Sequence, residues 1–424
     1  MKRRSFVQGA MTAVTAPAFS PGALGANDTV RVAVLGVNGQ GWSHVGGYQR
    51  LPNVQVATLC DPDRNVAAQR AAEFQKAYGR RVRTETDLRR VLEDKSIDAV
   101  SIAMPNHWHA LATIWACQAG KDVYVEKPGT HNVLEGRKVI EAAAKYNRIV
   151  QHGVQLRSSP ALQEAVEKLR AGVIGKVYLC RALVYRWRPA IGHFPEEPRP
   201  QHLDYDLWQG PAQLRPFSRR LVHYNWHWHW DYGNGEIGNQ GIHQLDMAQW
   251  GLGVQLPRQV VAAGGKFVWE DDKETPEVLT AVCSYPGQNK MIEIAVRHWC
   301  TPDEQGVGVG NIFLGSEGYM LIRHYTAYET YLGQKREPGP SAKGEGDHHA
   351  NFIQALRSRR KSEQNGPVET AHYSSALAHL ANISFRLGRR LEFDPQQERF
   401  VGDPEADRLL TRDYRAPFVV PGSV

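Results

Sequence analysis

A glycine-rich turn constrains this chain more than any other stretch. It reads Gly36-Val37-Asn38-Gly39-Gln40-Gly41, follows the apolar run Val30-Arg31-Val32-Ala33-Val34-Leu35, and precedes a helix expected from about Ser43. A strand turning directly into a helix beside a pyrophosphate has three needs. Glycine serves the bend, a small residue the close backbone approach, and glycine again the helix–strand packing. Gly36 and Gly41 meet the first and third; Asn38 stands at the second, where asparagine tolerates left-handed dihedrals and Gly39 adds freedom. A second apolar run over 54–59 leads to Asp61. A carboxylate there accepts ribose hydroxyls of NAD and repels the 2′-phosphate of NADP, whereas Arg64 would welcome that phosphate. NAD is favoured, with both kept open.

The surrounding pattern extends this turn into a domain. Apolar β-branched runs over 30–35, 54–59, 97–102 and 122–125 alternate with helical patterns over 65–78, 88–93, 110–119 and 133–146. Short buried strands separated by helices make a parallel sheet covered on both faces. Beyond about residue 175 the pattern changes to strands over 177–187, 260–268, 279–285, 291–296 and 312–322, punctuated by glycine and proline without regular helices between. Helical patterns return at 351–357 and 374–387. The reading is α/β followed by α+β. A Rossmann domain occupies 28–155, and an open, predominantly antiparallel sheet with helices on one face occupies 156–424.

Composition excludes more than it identifies. The formal charge of +7 comes from 51 basic residues set among 44 acidic ones, and three of the positives are Lys2, Arg3 and Arg4. Neither a nucleic-acid partner nor, with no apolar run near membrane length, insertion in a bilayer is expected. The start Lys2-Arg3-Arg4-Ser5-Phe6-Val7, a mildly apolar stretch and Ala23-Leu24-Gly25-Ala26 have the order of a signal peptide over 1–26. Twin arginines with weak hydrophobicity suit the route that exports folded proteins, so a periplasmic or secreted location is expected. Cys60, Cys117, Cys180, Cys283 and Cys300 are odd in number and lack CxxC spacing, which favours buried free thiols.

Two further segments carry a family resemblance. Met104-Pro105-Asn106-His107-Trp108-His109 follows the third apolar run, and Glu126-Lys127-Pro128 follows the fourth. With Gly238-Asn239-Gln240-Gly241-Ile242-His243-Gln244-Leu245-Asp246, they resemble the Gfo/Idh/MocA oxidoreductases over nearly the whole mature chain. The resemblance implies hydride transfer at a sugar-like carbinol, with Lys127 at the nicotinamide and the reacting hydroxyl, and His243 as general acid/base. A near-neutral imidazole suits that proton transfer, and an ammonium stabilises a developing alkoxide. Where many relatives carry Asp, this chain has Asn239, which can orient substrate or His243 but cannot accept the proton. Pro105, Asn106, His109 and Glu126 are expected on the cofactor side, with Gln155 near the carboxamide and Arg157 near the substrate.

The segment from His223 to Gly233 alternates aromatics and histidines and runs into the catalytic motif. Read as a strand, it would put some of Trp226, Trp228 and Tyr232 against sugar C–H faces. Among His223, His227 and His229, or His348 and His349 after Asp347, spacing of i, i+2 on a strand brings two ligands to one face with no obvious third, so no metal is assigned. Export sharpens the reading towards a tightly bound cofactor, loaded before transport and recycled by a second carbonyl substrate. The partner is a small carbohydrate, and a homodimer or homotetramer is expected. Two alternatives stand beside it: a redox-neutral NAD-dependent glycosidase, and a non-catalytic sugar-binding protein on the same scaffold.

Overall fold

The computed structural model describes residues 29–424, so the expected signal peptide lies outside the described residues. The first half alternates β1 (Val30–Leu35), α1 (Gln40–Gln49), β2 (Val54–Cys60), α2 (Arg64–Tyr78), β3 (Arg83–Glu85) and α3 (Leu88–Glu93). It continues with β4 (Ala99–Ile102), α4 (Asn106–Gln118), β5 (Asp122–Val125), α5 (Val133–Lys145) and β6 (Val150–His152). The strands form one sheet ordered β3-β2-β1-β4-β5-β6, with every pairing parallel. Strand order reverses between β1 and β4, which opens a crevice at their carboxyl ends. Local chemistry sets the boundaries: Asp63 caps α2 by accepting from the amides of Asn65 and Val66, and Gly79 ends it at φ +67°.

The second half begins with α6 (Pro160–Arg170), β7 (Val177–Tyr185) and α7 (Tyr205–Gln209). Two helices follow, α8 (Gly235–Asn239) and α9 (Gly241–Leu252). Next come β8 (Gln259–Gly265), β9 (Val278–Tyr285), β10 (Lys290–Arg297), β11 (Val309–Gly315), β12 (Gly318–His324), β13 (Ala327–Leu332) and β14 (Glu337–Lys343). The chain closes with α10 (His348–Ser358), α11 (Val368–Leu387), β15 (Leu391–Asp394) and β16 (Arg399–Phe400). Ten strands lie in the order β14-β13-β12-β11-β7-β10-β9-β8-β15-β16. The β7–β10 pair is parallel and its neighbours are antiparallel. Helices α6, α9 and α11 bury Leu162, Leu245 and Leu377 against this sheet in one core.

Four expectations need correction. The single strand expected over 312–322 is a hairpin, because Ser316 and Glu317 turn the chain between β11 and β12. The helix expected from residue 110 starts at Asn106, directly after Pro105, whose fixed φ suits a helix entrance. The aromatic segment is not a strand: Asn225–Trp228 form a short 3-10 turn, and Gly233 packs against the His227 backbone. Cys300 is exposed, unlike the four buried cysteines, because it lies in the loop after β10. The halves are also stitched together. Phe352, Ile353 and Leu356 of α10 pack into the same core as Val32 and Tyr48, and Phe418 joins the core around Trp108.

Candidate active site

A cavity of about 310 Å³ occupies the crevice between β1 and β4. Gly36, Asn38, Gly39, Gln40 and Asp61 line one end of it. A Cβ on Gly41 would stand 1.8 Å from the Gly36 carbonyl oxygen, so only glycine permits that packing. Gly36 sits at φ +81°, and a Cβ there would also meet the Ala103 carbonyl at 2.7 Å. Gly39 is different: a Cβ on it would meet nothing within 4 Å, so the backbone faces open space. It caps α1 with no side-chain hydrogen bond, and the first turn holds no acidic residue. Free amides at a helix N-terminus facing a cavity are what a pyrophosphate needs. These residues fit a dinucleotide.

Asp61 is buried, and both its oxygens already hold the turn. Oδ2 accepts from the Val37 amide and Oδ1 from the Asp63 amide, each at 3.0 Å. Burial raises its pKa to about 6, against the pull of those amides. Each oxygen keeps a second acceptor direction for a ribose hydroxyl. Arg64 does not line the cavity; its guanidinium donates to the Gln201 carbonyl.

At the other end Pro105, Asn106, His109, Glu126 and Lys127 meet Trp226, His227 and Asn239 of the second half. His109 braces the wall, with Nδ1 facing the Pro128 carbonyl and Nε2 the Met104 carbonyl, each at 2.6 Å. Glu126 Oε1 accepts from Gln40 at 3.4 Å and Gln155 at 3.1 Å, and pairs with His44 Nε2 at 3.1 Å. Burial pushes its carboxyl up, but His44, Lys127 and His243 outweigh that and hold it well below the usual range. Gln155 itself stays outside the lining and acts on Glu126 and the Tyr124 hydroxyl.

Lys127 starts a chain of side chains that the sequence pattern did not disclose. Its Nζ donates to the Asn239 backbone carbonyl at 2.9 Å and to Oδ1 at 3.2 Å. Asn239 Nδ2 donates to Glu236 Oε2 at 3.2 Å, one turn earlier on α8. Arg188 grips both oxygens of Glu236 at 3.0 and 2.8 Å and donates to the Tyr224 hydroxyl at 2.8 Å. The carboxylate absent at position 239 therefore stands at 236, fully buried and paired. Burial lowers the Lys127 pKa, while Glu126 and Glu236 draw it back up.

His243 lies in the first turn of α9, a regular helix between β7 and β8 where the sequence pattern led to none being expected. It does not line the cavity, and its ring stands 5.1 Å from that of Tyr325. Burial, then the Lys127 charge, lowers its imidazole to about 3, so it is neutral near pH 7; Nδ1 has no partner among the described residues. His227, which does line the cavity, is also lowered to about 3 by burial. Its Nδ1 faces the Tyr224 carbonyl at 2.5 Å, so donation there leaves Nε2 an acceptor.

Three expected substrate residues lie elsewhere. Arg157 pairs with Asp246 at 2.7 and 3.0 Å and stacks on Trp250, on the far side of α9. Trp228 is buried against His298 and Arg188, and Tyr232 packs on Trp208 and His107. An alternation read as a strand could not foresee this, because the segment turns. Its residues His223, Tyr224, Trp226 and His227 line the cavity instead.

Two family models match the chain. The Gfo/Idh/MocA model described as an oxidoreductase family, NAD-binding Rossmann fold, covers residues 30–154. Its companion, the C-terminal alpha/beta domain of that oxidoreductase family, covers 163–263 and 330–420. The chain is 35% identical to the scyllo-inositol 2-dehydrogenase (NAD(+)) of Bacillus subtilis over 35% of this chain and 42% of that protein. It is 29% identical to the levoglucosan dehydrogenase of Pseudarthrobacter phenanthrenivorans over 53% of this chain and 51% of that one. The matched stretches thus span about half of these relatives' lengths. The fold is shared with the WlbA dehydrogenase of Bordetella pertussis, solved with NADH and UDP-GlcNAcA. The TM-score is 0.65 at 19% identity, over 86% of this chain and 99% of that one.

Proposed function

Because the chain belongs to the Gfo/Idh/MocA oxidoreductase family, we propose that it is an NAD(P)-dependent oxidoreductase acting on a hydroxyl-bearing carbon of a sugar, glycoside or cyclitol. One observation carries this reading: the pyrophosphate-ready turn and the Lys127 ammonium face the same cavity. When bound, the dinucleotide supplies the hydride acceptor or donor. Lys127 Nζ stabilises negative charge developing on the carbinol oxygen. His243, neutral and set behind the cavity lining, takes the hydroxyl proton once the bound substrate reaches its ring, and Asn239 fixes Lys127 in place. His227 Nε2 accepts from a substrate hydroxyl, and Trp226 gives the ring an apolar face. NAD is preferred over NADP, supported by Asp61 at the ribose end and by Arg64 being committed to Gln201.

The twin-arginine leader supports export of the folded protein with its dinucleotide retained. A homodimer or homotetramer is supported by exposed Tyr178 and Val261 on the ten-stranded sheet, and sedimentation velocity tests it. The function is tested on purified protein. Dialysed samples should carry nucleotide absorbance, and a panel of sugars and cyclitols should change reduced-cofactor absorbance at 340 nm. Lys127→Ala should abolish that change with nucleotide still bound. Protein that neither carries nor binds NAD(P) would overturn the proposal.

A further inference from the structure

A separate cavity of about 440 Å³ lies behind the active site. It forms where the loop before α5, the segment entering α8, the end of α11 and the C-terminal tail meet, and it shares no lining residue with the dinucleotide cavity. Its lining carries three guanidiniums, those of Arg386, Arg408 and Arg412. Nearby arginines are paired: Arg389 with Asp403 and Glu405, Arg399 with Asp407, Arg415 with Asp206. Arg386, Arg408 and Arg412 line this cavity and make no ion pair among the described residues. Of the two carboxylates on its wall, Asp231 is held by Arg215, which leaves Asp413 against three guanidiniums.

The guanidiniums are aimed by their neighbours. Arg386 lies over the Trp230 ring at 5.3 Å, and Arg412 donates to the Asp231 carbonyl at 2.7 Å and faces His131 Nδ1 at 3.2 Å. Two buried wall residues keep a polar atom without a partner among the described residues, His131 Nε2 and Asn382 Oδ1. Cationic forks match an oxyanion; the two unpartnered atoms are closed off from the cavity by burial, and the Thr411 hydroxyl and Asp413 carboxylate of the lining match sugar hydroxyls. The cavity also reaches the active site. Asn382 Nδ2 donates to the Asn234 carbonyl at 2.9 Å, and Asn234 Oδ1 accepts from Asn106 at 3.3 Å, which lines the dinucleotide cavity.

We propose that this cavity is an accessory site for an anionic sugar, bearing a carboxylate or a phosphate beside hydroxyls, which communicates with the active site through Asn234 and Asn106. The experiment is calorimetric titration of NAD-saturated full-length protein with D-gluconate, D-glucose 6-phosphate and neutral D-glucose. Saturable binding of an anionic sugar is expected, and whichever of the two binds identifies the anion. Arg386 and Arg408 are solvent-exposed, so Arg386→Gln/Arg408→Gln should keep its melting temperature while weakening that binding about tenfold or more. Trp226→Ala, which alters only the other cavity, should leave the anion affinity unchanged; a parallel loss would place the ligand in the active site and overturn the proposal. It is equally overturned if neither anion binds, if neutral glucose displaces the anion with equal affinity, or if the double arginine variant keeps its affinity.

Discussion

The two ends of the active-site cavity are built from different materials. The dinucleotide end is made of backbone: a turn, free helix amides, and one carboxylate that fastens the turn from beneath. The substrate end is a relay of four residues from three places in the chain, Lys127, Asn239 and Glu236 of α8, and Arg188. A backbone site tolerates change only where no Cβ intrudes, whereas a relay can shift its charge by a helical turn and remain connected. That is how Asn239 is accommodated: Glu236, one turn earlier, supplies the carboxylate of the relay.

The sharpest way to break this contrast is Lys127→Ala. Turnover should fall about a thousandfold while nucleotide binding stays within a few-fold, since the two ends bind independently; steady-state rates and cofactor fluorescence would show it. Next in size is Glu236→Gln, which strands the nearly buried Arg188 charge and should cost about 3–5 kcal/mol. Adding Asn239→Asp should recover part of that loss in chemical denaturation, because the carboxylate returns to the same relay. Gly41→Ala forces the turn away from Gly36 and should destabilise by about 3 kcal/mol, with loss of nucleotide binding and little change in the second half's far-ultraviolet signature.

Per group and per pH unit, titration is the smallest effect. His107, His243 and His379 are lowered to about 3 by burial, and His348 to about 4. The unfolded chain therefore binds more protons, so their stabilisation is complete above the ordinary value of 6.5 and is lost as pH falls. Each contributes about 1.4 kcal/mol per pH unit across that window. Asp61, raised to about 6, and Glu135, raised to about 7, act in the opposite sense but are fewer. Melting temperature should hold between pH 7 and 8 and drop steeply below about pH 6. A flat profile down to pH 4 would refute the assignment of neutral buried imidazoles.

Much of the parallel half was legible because its signals are local. Apolar runs and glycine positions declare strands, turn and helix within a few residues, and β1, α3 and β5 fall where the pattern put them. The polar strand β3 carries no such signal and was missed. The motif residues Lys127 and Asn239 do meet at the cavity. Glu236 and Arg188 were silent because their meaning is a pairing between residues far apart in sequence. Trp228 and Tyr232 were misplaced for a related reason: a period of two has meaning only in a strand, and a tight glycine turn removed it.

The stitching of α10 and Phe418 into the first half has a consequence for how the protein is made. A ribosome releases the glycine turn early, but the core beneath it lacks Phe352, Ile353 and Leu356 until most of the chain has been synthesised. Phe418 arrives only at the very end. The nucleotide-binding half is therefore the first to be translated and among the last to be completed, and no N-terminal fragment ending near residue 155 contains its whole core.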